Sequence, residues 1–169
     1  MLLFIALLSM NTFAVQIDAV SGNSYSGVST ISLNHKTGSG SDTLMLVALT
    51  FNNDNGQRVK SLKYNNIALT KASETASGNN IRIEFWSLKA PPVGTHTLKA
   101  TFTDLIDWAG TINVITLKGV DQTNPLGIFK KSSNQGGTKP PSVSLNATAG
   151  DLVIGVAGCE SCTSLSKGS

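Results

Sequence analysis

The chain has 169 residues, 16 of them glycine, with 40% hydrophobic residues, 14% charged residues and a formal net charge of +3. That length suits one domain with a core large enough to need no metal or disulfide staple, and the balance of apolar residues and charge excludes a disordered polymer. The thirteen Lys and Arg residues are scattered, and only Lys130 and Lys131 are adjacent, which excludes the concentrated basic stripe with stacking aromatics of a nucleic-acid binder.

Met1–Ala14, MLLFIALLSMNTFA, contains the unbroken apolar run Leu2–Leu8 followed by Thr12-Phe13-Ala14, with small residues at the cleavage positions. It reads as a secretory signal peptide missing its basic n-region. A membrane span needs about 20 apolar residues, and this run is too short, so no span is expected in the mature chain. Residues 15–169 are expected to form one exported domain, secreted or held at the cell surface.

Val15–Ala19 reads as a first short strand, and Ser21–Gly27 as turn material. Val28–His35 alternates, with Ile31 and Leu33 on one face. Thr43–Phe51, TLMLVALTF, is apolar on both faces, as a central strand covered on both sides must be. Asn55-Gly56 tolerates positive φ and signals a hairpin. The run Asn52–Gly56 lacks the oxygen spacing and closing Glu of a calcium loop, and reads as a turn. Val59–Tyr64 and Ile67–Lys71 flank a second turn at Asn65-Asn66, and Ala76–Asn79 reads as a polar loop.

The strongest pattern lies in Ile81–Thr103, IRIEFWSLKAPPVGTHTLKATFT. Ile81, Ile83 and Phe85 alternate with Arg82, Glu84, Trp86 and Leu88, and Leu98, Ala100 and Phe102 alternate with Thr97, Lys99 and Thr101. Pro91 and Pro92 cannot donate to a ladder and Gly94 accepts positive φ, so the two arms are expected to form a hairpin. Thr103–Asp107 reads as an acidic turn, Gly110–Leu117 as a strand and Gly119–Leu126 as a loop. Gly127–Lys131, Ser142–Asn146 and Asp151–Ala157 are expected as the last strands, after the Ser/Asn/Gly/Pro-rich stretch Ser132–Pro141. About ten or eleven strands with regular turn signals, and no helical period, define an all-β chain. An antiparallel two-sheet β-sandwich, jelly-roll or immunoglobulin-like, is favoured over a barrel.

Four stretches, Tyr64–Thr70 (YNNIALT), Ile83–Thr103, Gly119–Leu126 (GVDQTNPL) and Ala149–Val156 (AGDLVIGV), together resemble an uncharacterised β-sandwich module. That module recurs in secreted and surface-anchored bacterial proteins, and Gly119–Leu126 is the most specific piece of the match. The resemblance covers most of Ser41–Ala157. It implies a structural or adhesive unit, often one of several in a long polypeptide, with no catalytic residues to carry over. Family members continue with further strands after Asp151–Val156. The resemblance therefore implies a chain lacking its C-terminal strands, with an apolar sheet edge near Asp151–Ala157 and poor solubility.

The chemistry-bearing residues are few. Cys159 and Cys162 form a Cys-x-x-Cys with no βαβ setting and no second ligand pair, so a local disulfide or unpaired loop thiols are expected before a redox or zinc site. Glu84 alternates with Trp86 and is expected on the solvent face, paired across strands with Lys or Arg. His35 and His96 lie in no nucleophile motif, and no Gly-x-Ser-x-Gly occurs. Asp104, Asp107 and Asp121 are the carboxylates that could gather calcium at one sandwich end, the one cofactor left open. Trp86, Trp108 and Tyr64 are candidates for stacking on sugar rings, with Trp86 the more natural core residue. The expected function is a non-catalytic structural or adhesive module. The alternative is a carbohydrate-binding module using Trp108, Asp104, Asp107 and Trp86, with polysaccharide or other surface proteins as partners.

Overall fold

The computed structural model describes residues 14–77, 80–133 and 142–158. The signal assignment, except Ala14, and the Cys159–Cys162 pair lie outside them. The described residues form nine strands and no helix: β1 (Gln16–Tyr25), β2 (Val28–Thr37), β3 (Leu44–Asn52), β4 (Val59–Tyr64), β5 (Ile67–Ala68), β6 (Thr70–Ser77), β7 (Ile81–Lys89), β8 (Gly94–Ile106) and β9 (Gly110–Lys118). A five-stranded sheet runs β1-β9-β3-β7-β6 and a four-stranded sheet β2-β8-β4-β5, with every pairing antiparallel. The chain is a two-sheet β-sandwich.

β3 sits at the centre of its sheet, as its two-sided apolar pattern requires. Met45, Val47, Leu49 and Phe51 point between the sheets, against Leu62, Leu98, Ala100 and Phe102 from the opposite one. Leu44 and Ala48 are buried on the outer face. Each of the buried Val, Leu, Met and Phe side chains stabilises the fold by about 1.5–3 kcal/mol of transfer free energy.

The segment Ile81–Thr103 does contain two strands, but they do not pair. β7 hydrogen-bonds to β3 and β6, and β8 to β2 and β4, so Pro91 to Val93 form an arch from one sheet to the other. Prolines stop the ladder, and the left-handed Ala90 (φ 47°) and Gly94 (φ 111°) at either side turn the chain through the roughly 10 Å between layers. Asn55-Gly56 likewise joins β3 to β4 across the sandwich and makes no hairpin. Asn65-Asn66 does make one: both residues have positive φ (47° and 65°), and Tyr64 pairs with Ile67 across the turn.

Three stretches expected as turns or loops belong in part to strands. Ser21–Tyr25 continues β1 along β9, Ala76 and Ser77 end β6, and Thr103–Ile106 extend β8. Backbone pairing with an existing neighbour overrides the turn-forming bias of Ser, Asn and Asp. At the end of β1, Tyr25 faces Gly110, where a Cβ would lie 2.4 Å from the Tyr25 ring. The missing side chain lets that ring lie over the backbone of β9 and reach Phe102, with centroids 5.7 Å apart.

Gly127–Lys131, Ser142–Asn146 and Asp151–Ala157 form no strands. They run over the outer face of the five-stranded sheet, where Phe129 meets Phe85 with centroids 6.0 Å apart and Gly158 lies against Thr50 and Ile83. Leu126 and Ile154 pack on Leu44, Leu117 and Val120. Ile154 and Val156 find partial cover on the sheet face without ladder hydrogen bonds, while Ile128, Phe129, Val143 and Leu145 stay exposed, and alternation alone does not distinguish such a path from a strand. Asp151–Ala157 therefore presents no sheet edge, though Leu152 and Val153 stay exposed.

Candidate functional site

The residues singled out for binding separate into two places. Trp108 lies in the turn between β8 and β9 with 76% of its surface exposed, beside exposed Asp107 and Leu105. Asp104 is exposed on the last turn of β8 and accepts the Leu105 N–H at 2.8 Å. Asp121 is elsewhere. It follows β9, whereas Asp107 precedes it, and the nine residues of β9 at about 3.3 Å each put them at opposite ends of the sandwich. The three carboxylates do not share one end, because a single strand carries the chain from one to the other.

Trp86 is in the core, with its indole N–H donated to Glu84 Oε2 at 3.1 Å and the Lys71 ammonium 5.3 Å from the ring centroid. No sugar can stack on it in this arrangement. Tyr64 is fully buried as well. Only Trp108 among the three aromatics has a free face.

Glu84 faces inward, against expectation. Alternation along β7 puts it with Arg82 and Trp86 on the interior face, because Ile81, Ile83 and Phe85 serve the outer, partly covered one. Its carboxylate is fully buried, accepts the Val59 N–H at 3.2 Å, and pairs with Lys71 at 3.1 Å. Lys71 reaches in from the edge strand β6 and also binds Glu74 at 2.8 Å. Burial pulls the Lys71 ammonium down, but the hydrogen bonds to Glu74 and Glu84 outweigh it and raise its pKa. The Lys71 hydrogen bond holds Glu74 below the usual carboxylate range. Arg82 meets Glu74 at 3.4 Å and donates to Asn53 Oδ1 at 3.0 Å, which also receives Arg58 at 3.1 Å. These charges are spent on one another and on the backbone.

A second polar group lies between β1, β2 and β9. His35 is 1% exposed, with Nδ1 2.9 Å from Ser21 Oγ and Nε2 2.7 Å from Thr116 Oγ1. A neutral imidazole donates through one nitrogen and accepts through the other, and two hydroxyls can answer either tautomer. A serine beside a histidine invites a nucleophile reading. Here the second ring nitrogen meets a threonine hydroxyl inside the sandwich, and the ring has no open face toward a substrate. Nearby, Lys118 and the Gly38 N–H hold Asp18, and together they outweigh burial and keep its carboxyl below its ordinary range.

Burial lowers the His35 pKa, against the pull of the Asp18 carboxylate. The unfolded chain takes up its His35 proton near pH 6.5, while the folded chain still refuses it. Stability is therefore expected to fall as pH drops from about 6.5 toward the folded pKa of His35. Melting temperatures between pH 8 and 5 measure this, and His35→Gln should flatten the slope over that interval. An unchanged slope in the variant would assign the acid sensitivity to other groups.

Sequence periodicity could have placed His35 inside, since Ile31, Leu33, His35 and Thr37 share one face of β2. Of the groups that pair with it, Ser21 sits on the preceding strand β1 and Thr116 on β9, 81 residues away, and no local pattern marks either. Comparison with protein-family models, curated proteins and solved structures yields no match. The class defined here is an antiparallel two-sheet β-sandwich in which the buried Glu84 and His35 are each held by neighbouring donors and acceptors.

Proposed function

We propose that the chain is a non-catalytic structural or adhesive module of an exported or cell-surface protein. The observation that carries this is the disposition of its polar chemistry. Glu84 is fully buried and bonded to Lys71, Trp86 and Val59, and His35 is enclosed by Ser21 and Thr116. What faces outward is a broad sheet surface and loop ends, which suit contact with a partner better than turnover of one. The resemblance of Gly119–Leu126 and its companion stretches to an exported bacterial module supports the same reading. Retention on immobilised polysaccharides or cell-surface material, with no release from chromogenic glycosides and esters, is the expected result. Turnover abolished by Ser21→Ala in a chain that still melts normally would overturn it.

The exposure of Trp108 favours a second reading, a carbohydrate-binding module with the indole stacked on a sugar ring and Asp104 and Asp107 taking hydroxyls. Truncating an aromatic anchor removes about 2 kcal/mol or more of binding, roughly thirtyfold. Trp108→Ala should weaken retention on a neutral polysaccharide by that factor and leave the melting temperature unchanged. Equal retention by the variant would remove this reading.

A further inference from the structure

The lysines that look scattered in the sequence are gathered by the fold. The four-stranded sheet carries Lys36, Lys60, Lys63 and Lys99 against a single carboxylate, Asp104, an excess equal to the net charge of +3 of the whole chain. On its outward face Lys99 of the inner strand β8 stands directly between Ser32 of β2 and Lys63 of β4. The neighbouring rows are Asn34 beside Thr97, Thr30 beside Thr101 and Ser61, and Lys36 beside Thr95. Thr97 Oγ1 donates to Asn34 Oδ1 at 3.0 Å, which fixes that amide at the surface. A shallow polar trough of about 570 Å³ crosses these rows, with Lys63 and Lys99 in its floor beside Asn65, Asn66 and His96, and no acid lines it.

This arrangement costs the fold something. Like charges directly opposite on adjacent strands repel. Lys36, Lys63 and Lys99 make no ion pair with any described residue, whereas Lys71, Arg82 and Lys118 are all paired. Lysines do protect sheet edges from adventitious pairing, but Lys99 lies on an inner strand, where edge protection has no use for it. A Lys–Lys pair set among hydroxyls and amides is a surface awaiting an anion that also carries hydrogen-bonding groups.

We propose that this face binds a linear acidic polysaccharide, with the Lys63–Lys99 pair holding its carboxylates and the Ser, Thr and Asn rows meeting its hydroxyls. The proposal rests on the adhesive reading above and names its partner class. Sugars are favoured over nucleic acid because the outward rows hold no Phe, Tyr, Trp or Arg, the groups that stack on bases and fork onto phosphates.

The test uses the whole chain, with polygalacturonate as probe, dextran as the neutral control and a single-stranded oligonucleotide as the second polyanion. Polygalacturonate should bind, dextran should not bind at this face, and binding should weaken steeply between about 50 and 200 mM salt. The double variant Lys63→Gln, Lys99→Gln should bind about tenfold or more weakly. Its melting temperature should equal or exceed that of the parent, because the repulsion is gone. Unchanged polygalacturonate binding by the double variant overturns the face assignment and leaves the adhesive reading standing. So does retention on other surfaces without any on polygalacturonate. Oligonucleotide binding as tight as polygalacturonate binding at equal salt overturns the choice of partner. Failure to adhere to anything tested overturns both readings together.

Discussion

Replacing Glu84 with alanine is expected to lower stability by about 3–5 kcal/mol, seen as a fall in the urea midpoint with little change in slope. The carboxylate is fully buried and each of its oxygens is used: Oε1 takes the Val59 N–H, and Oε2 takes the Trp86 indole N–H and the Lys71 ammonium. Removing it strands an N–H on β4 and another on the indole inside the sandwich, and leaves Lys71 with only the more exposed Glu74. A buried donor without an acceptor loses roughly 1–3 kcal/mol, more where the lost partner was charged. The change is large against the 5–15 kcal/mol that typically separates a folded domain from its unfolded chain. Glu84→Gln keeps acceptor capacity without charge and should lose less than the alanine variant. A Glu84→Ala midpoint within about 1 kcal/mol of the parent would mean that water or Glu74 relaxes into the gap, and that the buried pair holds nothing.

Glu84 also marks where sequence reasoning reached its limit. The alternation of β7 placed Arg82, Glu84, Trp86 and Leu88 on one face correctly, and Trp86 was the natural core residue. Which face turns inward depends on the partner sheet, and an unbroken run of Ile81, Ile83 and Phe85 argues for the wrong one. That face is partly covered by the chain after Val120, in an irregular path whose apolar residues imitate strands. β3 was legible because both its faces are apolar. The Asn65-Asn66 turn was legible because two residues needing positive φ leave one geometry. The arch at Pro91 to Val93 was not, since prolines stop pairing equally well in a hairpin and between sheets. The basic face escaped for a different reason: Lys36, Lys63 and Lys99 are far apart in sequence, and only the β2-β8-β4 order makes them neighbours.

Tyr64→Ala is the second large effect, again about 3–5 kcal/mol, the range for deleting a buried aromatic side chain. Tyr64 is fully buried at the end of β4, with its ring edge-on to His96 at 5.5 Å between centroids and to His35 at 6.2 Å. Its hydroxyl is 2.9 Å from the His35 carbonyl, 3.2 Å from the Gly94 carbonyl and 3.1 Å from Thr37 Oγ1. One side chain therefore ties β4 to β2 past the start of β8, at the foot of the arch from β7. Tyr64→Phe separates the two contributions. It keeps the ring and removes the hydroxyl, leaving two carbonyls and a buried threonine to find other partners, with an expected loss of about 1–3 kcal/mol. The loss should be local, so amide exchange at Thr95 to Thr97 should accelerate more than exchange in β3. Uniform acceleration, with protection in β3 falling as far as protection at Thr95, would mean that the hydroxyl contributes only to global stability and does not fasten this corner of the sheet.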